Sequence, residues 1–147
     1  MILYLDTSSL VKLYIEEVGT ADVRDLVANA QVAATSDLAY PEMRAALARR
    51  HRDGSLSAVH FRAAKRAVDA DWPTYLAVRA TAALCREAGG LAERHRLRGF
   101  DAIHLASFME VLRTANGSAV AFSSFDAALN RAAAVAQRAE RRGSRRR

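Results

Sequence analysis

Four carboxylates stand at places in this 147-residue sequence where acids can work together. Asp6 closes the apolar run Ile2-Leu3-Tyr4-Leu5, Glu42 follows Pro41, Asp101 opens Asp-Ala-Ile-His-Leu, and Asp126 follows Phe122-Ser-Ser-Phe. Four such groups converging on one cleft repel each other and raise their pKa values unless a cation neutralises them. Their oxygens are hard ligands, and without histidine or cysteine companions they suit Mg2+ or Mn2+. Such a centre activates water and steadies the charge of an in-line displacement at phosphorus. Singly, each acid has a plainer use. Asp6, Asp101 and Asp126 can cap helices and Glu42 can serve as a first-turn acid, since the free N–H groups and the dipole favour anions there.

The elements that must position these acids follow from the hydrophobic pattern. Ile2 to Leu5 reads as a buried strand running straight into a helix over Ser9 to Glu17, closed by Gly19. Thr20 caps a second helix to Asn29, and Gln31 to Thr35 is a second strand. Ser36-Asp37 opens a helix that carries Pro41 in its first turn and runs to His51. Ser55 to Asp71 is a long amphipathic helix broken by Trp72-Pro73, and Thr74 to Val78 is a third strand. Thr81 to His95 is helical with an interruption at Gly89-Gly90, and Arg98-Gly99-Phe100 is a turn before a helix from Asp101 to Leu112. Ser118 to Phe122 is a fourth strand, and Asp126 opens a last helix to Gln137. Short apolar strands alternating with helices make an α/β fold with a mostly parallel sheet of four to five strands. Ligands bind at the carboxyl ends of such strands, which is where Asp6 and Asp126 fall.

Composition narrows the function classes. With 51% hydrophobic and 26% charged residues the chain is globular, and its length suits one domain. No charge-free stretch reaches the roughly 20 residues of a membrane span, and the N-terminus has no basic leader, so a cytoplasmic protein is expected. Cys85 is the only cysteine, which excludes an internal disulfide and a cysteine-rich zinc site. The net charge of +6 is concentrated: residues 44–66 hold seven basic side chains and one acidic. Residues 138–147 hold six arginines beside Glu140 and read as a basic, disordered tail behind a domain of residues 1–137. A basic middle and end point to a polyanion such as nucleic acid, or to a solvated helix face and a tail.

Four ordered blocks carry a resemblance. Tyr4-Leu-Asp-Thr-Ser-Ser-Leu-Val-Lys-Leu-Tyr14, Pro41-Glu42, Arg98-Gly-Phe-Asp-Ala-Ile-His-Leu-Ala106 and Ser123-Ser-Phe-Asp-Ala-Ala-Leu129 resemble PIN-domain ribonucleases, above all the VapC toxins of bacterial toxin–antitoxin pairs. The resemblance implies a three-layer α/β/α sandwich that binds one or two Mg2+ or Mn2+ ions and hydrolyses single-stranded RNA, in transfer or ribosomal RNA loops. It makes Asp6 and Asp101 the principal metal ligands, with Glu42 and Asp126 completing the pocket through water. Ser8 matches the hydroxyl beside the first aspartate, and Ser124 the hydroxyl two residues before the last acid; a cap or turn bond is the alternative for both. It further implies a VapB-like antitoxin partner and a homodimer or toxin–antitoxin hetero-oligomer. The chain departs from the pattern after its last helix, where residues 134–147 show no final apolar strand.

Arg44, Arg49, Arg50 and Arg52 follow Glu42 on one helix and are candidate RNA-backbone contacts, or else a solvated face. Tyr40, Phe61, Trp72 and Phe100 are aromatics of the kind that stack bases, although periodicity assigns Phe61 and Trp72 to the core. His104 lies one helical turn after Asp101 and reads as a packed or hydrogen-bonded structural residue. The helical hairpin from Pro41 to Asp71 is the candidate surface for the antitoxin or a second copy. The rival class is a catalytically idle RNA-binding or partner-docking module, for which an anionic cleft would be a disadvantage.

Overall fold

The structure, a computed structural model, describes residues 1–144. Four strands, β1 (Ile2–Leu5), β2 (Val32–Ser36), β3 (Leu76–Val78) and β4 (Val120–Ser123), form one all-parallel sheet in the order β3-β2-β1-β4. The chain moves outward from β1 through β2 to β3, then returns to the other side for β4. The order therefore reverses between β1 and β4, and a crevice opens there at the carboxyl ends of the strands.

Alternation along β1 divides the core. Leu3 and Leu5 face one layer, built from α1 (Thr7–Leu10), α2 (Thr20–Ala28), α3 (Ala39–Arg52) and α4 (Ala58–Asp71). Tyr4 faces the other, built from α5 (Ala82–His95), α6 (Gly99–Thr114) and α7 (Ala127–Ser144). With a side-chain period of two, one buried strand serves both layers. This is the three-layer α/β/α sandwich that the sequence leads one to expect. No helix among the described residues is long and apolar enough to cross a membrane.

Several elements differ from expectation. The first helix starts at Thr7, because the Asp6 carboxylate takes the Ser9 N–H at 3.0 Å, and it gives way to a 3-10 turn over Val11–Leu13. Lys12 folds inward there to reach Glu17 and the Val18 carbonyl, at 2.7 and 2.9 Å. Gly19, with φ of +90°, precedes α2 instead of closing a long first helix. Gly89 and Gly90 do not interrupt α5, since packing on α6 outweighs their weak propensity. Asp101 does not open its helix: α6 starts two residues earlier, so Asp101 lies in its first turn. The basic segment expected to be disordered from residue 138 continues α7 as far as Ser144. Glu140, on that extension, accepts from Arg113 of α6 at 3.2 Å, and Arg113 also donates to Glu87 of α5 at 2.6 Å. Residues 145–147 of the expected tail lie outside the described residues. Among the described residues the sheet has four strands and no fifth.

Candidate active site

The crevice between β1 and β4 holds Asp6, which is almost wholly buried at 4% exposure. A buried carboxylate needs donors, and this one has them from three directions. Ser8 Oγ donates at 2.7 Å, the Ser9 N–H at 3.0 Å and Ser124 Oγ at 2.6 Å. The two hydroxyls are themselves oriented. Ser8 Oγ accepts from the N–H of Phe125, and Ser124 Oγ accepts from the N–H of Asp126, both at 2.9 Å. One lattice of short bonds thus ties the end of β1 to the loop after β4. Asp126 caps α7 by accepting from the Leu129 N–H at 2.8 Å.

Glu42, in the first turn of α3, is held from the opposite layer. His104 Nε2 lies 2.8 Å from its Oε1, and Thr7 Oγ1 donates to the same oxygen at 2.8 Å. His104 is buried, and its Nδ1 lies 3.0 Å from the Tyr4 hydroxyl. One arrangement satisfies all of these groups: Tyr4 O–H donates to Nδ1, and Nε2–H donates to Glu42, the tautomer being assigned from its partners. Burial pushes the Tyr4 phenol well above its ordinary pKa, which keeps it a donor. Burial also pushes Glu42 up, but His104, the Thr7 hydroxyl and the charge of Arg98 outweigh it and leave the carboxyl below its ordinary value. Glu42 is therefore an anion at neutral pH. Asp101 is paired with its neighbour Arg98, whose Nε donates at 2.7 Å from an otherwise exposed side chain.

All four acids and Ser8 line one open cavity of about 600 Å3. Arg49, Arg50, Arg52 and Arg98 line it too, so cations border an acidic floor. Arg50 is already paired with Glu17. Arg44 stands apart: it donates to the Tyr40 hydroxyl at 2.8 Å and to Asp69 at 3.2 Å. The reason is angular. Two residues after Glu42, Arg44 is rotated by about 200° around the helix, whereas Arg49, seven residues on, returns to the same face. A wider hollow of about 1020 Å3 opens between the end of α6, the start of β4 and α7. Its one lining carboxylate, Glu140, is engaged by Arg113, so the chemistry does not lie there.

Among the described residues no three acids, histidines or cysteines are already gathered into a metal-ligating group. The donor chemistry of the cavity nevertheless fits a hard cation. Its oxygen donors are carboxylates and hydroxyls with no thiol beside them, and Mg2+ keeps several waters and needs only one or two carboxylates. Asp6 and Asp101 both line the cavity, on elements from different layers of the fold.

The family model for the PIN domain matches residues 3–135, a span that includes all four acids. The chain belongs to the PIN-domain family. Two curated relatives, Ribonuclease VapC45 and Ribonuclease VapC49 of Mycobacterium tuberculosis, are each 40% identical to it over 110 residues. Those residues are 75% of this chain and 76% of each relative. In this PIN domain the structure brings Asp6, Ser8, Glu42, Asp101 and Asp126 together with Arg49, Arg50 and Arg52, and leaves Arg44 outside. Ser124 is a direct partner of Asp6 and not only a turn residue. Thr7 was not singled out by the sequence, although it adjoins Asp6 and its hydroxyl holds Glu42. His104 and Phe125 also border the cavity. The signal for His104 was its spacing from Asp101; Phe125 had only its place beside Asp126.

Proposed function

We propose that this protein is a metal-dependent endoribonuclease that hydrolyses phosphodiester bonds in single-stranded or looped RNA and acts as the toxin of a toxin–antitoxin pair. The observation that carries this reading is the buried Asp6 carboxylate at the topological switch point, facing one cavity with Asp101, Glu42 and Asp126 beneath a rim of arginines. The names of the VapC relatives support it.

Asp6 and Asp101 would hold the cation, with Glu42 and Asp126 completing the acidic pocket. The all-oxygen donor set would suit Mg2+, with Mn2+ as a substitute. When bound it supplies a more acidic water and a positive charge beside the phosphorus under attack. The chain's own residues do the rest. Ser8 and Ser124 fix the direction of the Asp6 lone pairs. His104 and Thr7 keep Glu42 ionised and aimed into the cavity. Arg49 and Arg52 pair with phosphates along the strand, which arginine can do bidentately. Transfer or ribosomal RNA loops are the proposed targets, and a VapB-like antitoxin the partner that covers the cavity.

The test is cleavage of total cellular RNA by the purified chain with Mg2+ and with EDTA, beside Asp6→Asn and Asp101→Asn. Discrete cuts that need the metal and both carboxylates support the assignment. Cuts that survive either substitution in a folded variant sink it. No cutting under any divalent ion, with RNA still bound, would favour the idle binding module.

A further inference from the structure

Two phenylalanines border the acid-lined cavity, each immediately before an acid. Phe100 precedes Asp101 and is 60% exposed, and Phe125 precedes Asp126 and is 50% exposed. Single exposed apolar residues are ordinary on a protein surface. This pair is set apart by its place at one polar cavity and by how firmly Phe125 is held. The Phe125 N–H is bonded to Ser8, the hydroxyl that orients Asp6, and the Lys12 ammonium sits 4.1 Å from the ring centroid. The ring edge lies over Gly19 so closely that a Cβ there would stand 2.5 Å from Cε1. Gly19 also has φ of +90°, so neither its backbone nor the space beside it suits a larger residue. Phe100 sits in the first turn of α6 and borders a smaller hollow of about 300 Å3 with Glu42, Arg98 and Asp101.

We propose that Phe100 and Phe125 are stacking platforms for the nucleobases on the two sides of the scissile phosphodiester. The inference rests on the ribonuclease reading above and adds what that site selects. Aromatic rings bind bases through their faces, which every base has, so the contact tolerates sequence. Bases inside a duplex already stack on their neighbours, and only an unpaired strand can splay them onto protein rings. Two rings bordering the cavity that holds the acids therefore select unpaired RNA without reading a particular base. They also fix the phosphate between them over the carboxylates, so their loss is felt in KM before kcat.

The experiment uses an RNA oligonucleotide spanning a mapped cleavage site, intact or with an abasic nucleotide on either side of the scissile bond. Wild type is compared with Phe100→Leu and Phe125→Leu, which keep apolar bulk and lose the ring, and with Phe→Trp at each position. Each leucine variant is expected to lower kcat/KM on intact RNA by about ten-fold, mainly through KM, and tryptophan to restore it. The abasic substrate that costs wild type a similar factor should cost the matching leucine variant nothing more. Leucine variants that cleave intact RNA like wild type overturn the proposal while the ribonuclease reading stands. So do losses equal on intact and abasic RNA, which would mark a structural role. If wild type cuts no RNA at all, the ribonuclease reading fails, and this proposal fails with it.

Discussion

His104 Nε2 lies 2.8 Å from Glu42 Oε1, which joins the two helical layers across the carboxyl end of the sheet. The histidine is on α6 and the glutamate on α3, and Tyr4 of β1 closes the chain of bonds from the sheet side. A buried polar chain of this kind fixes geometry well when complete and is costly when broken.

His104→Ala leaves the buried Tyr4 hydroxyl and Glu42 each short of a partner and opens a cavity beside Tyr4. Stability should fall by about 2–4 kcal/mol, read as the urea midpoint at pH 7. Cleavage by the variant that remains folded should fall by about 100-fold, because Glu42 is no longer held in place.

Arg98→Ala frees Asp101 from the guanidinium that now engages it. The Arg98 side chain is 80% exposed while that of Asp101 is 17% exposed, so losing the pair should cost no more than about 1 kcal/mol and lower the melting temperature only slightly. Affinity for Mn2+ in the absence of RNA should rise, since a competing cation has been removed from a ligand. Calorimetric titration checks it, and unchanged or weaker Mn2+ binding would show that Asp101 does not serve the metal.

Asp6 and Asp126 were legible in the sequence because they follow strand ends, which follow from short apolar runs, and Asp101 because it stands at the start of an apolar helix. Glu42 could be located because Pro41 marks the first turn of a helix. What the sequence did not show depends on three-dimensional direction. Arg44 and Arg49 look equivalent in a basic run, yet one meets Asp69 and the other lines the cavity. Phe125 could not be told from a turn residue, because its exposure depends on Gly19 and Lys12, far away in the chain. The end of α7 was missed for a related reason: an arginine-rich segment reads as tail until a distant Arg113 supplies a partner for Glu140.

Glu17 gives stability a dependence on pH. Its partial burial pushes the carboxyl up, and hydrogen bonds and charge from Lys12 and Arg50 more than reverse this, so its pKa in the folded chain is lowered. Folding then favours the ionised form. The stabilisation is complete above the unfolded carboxyl's pKa and is lost as pH falls through the folded one. Glu17→Gln should cost about 1–2 kcal/mol at pH 7. The gap to wild type should narrow as pH falls below the ordinary glutamate range and close once it has fallen through the lowered folded-state pKa, as measured by denaturant titration across pH.

Gly19→Ala should cost about 1–3 kcal/mol, because alanine is strained at φ of +90°. The added methyl also pushes Phe125 away from its place over residue 19. Cleavage of single-stranded RNA should weaken together with thermal stability. Calorimetry and a cleavage assay on one preparation test the pair of effects.

Asp6 and its partner Ser124 are 118 positions apart, and β1 is completed on that side only by β4. A ribosome making this chain releases the first aspartate well before the serine that orients it. Between those two points the nascent polypeptide carries Asp6 without the Ser124 bond that completes its set of donors. An enzyme that cuts RNA is thus assembled beside the RNA that encodes it, and its first acid is not fully aimed until Ser124 has been made.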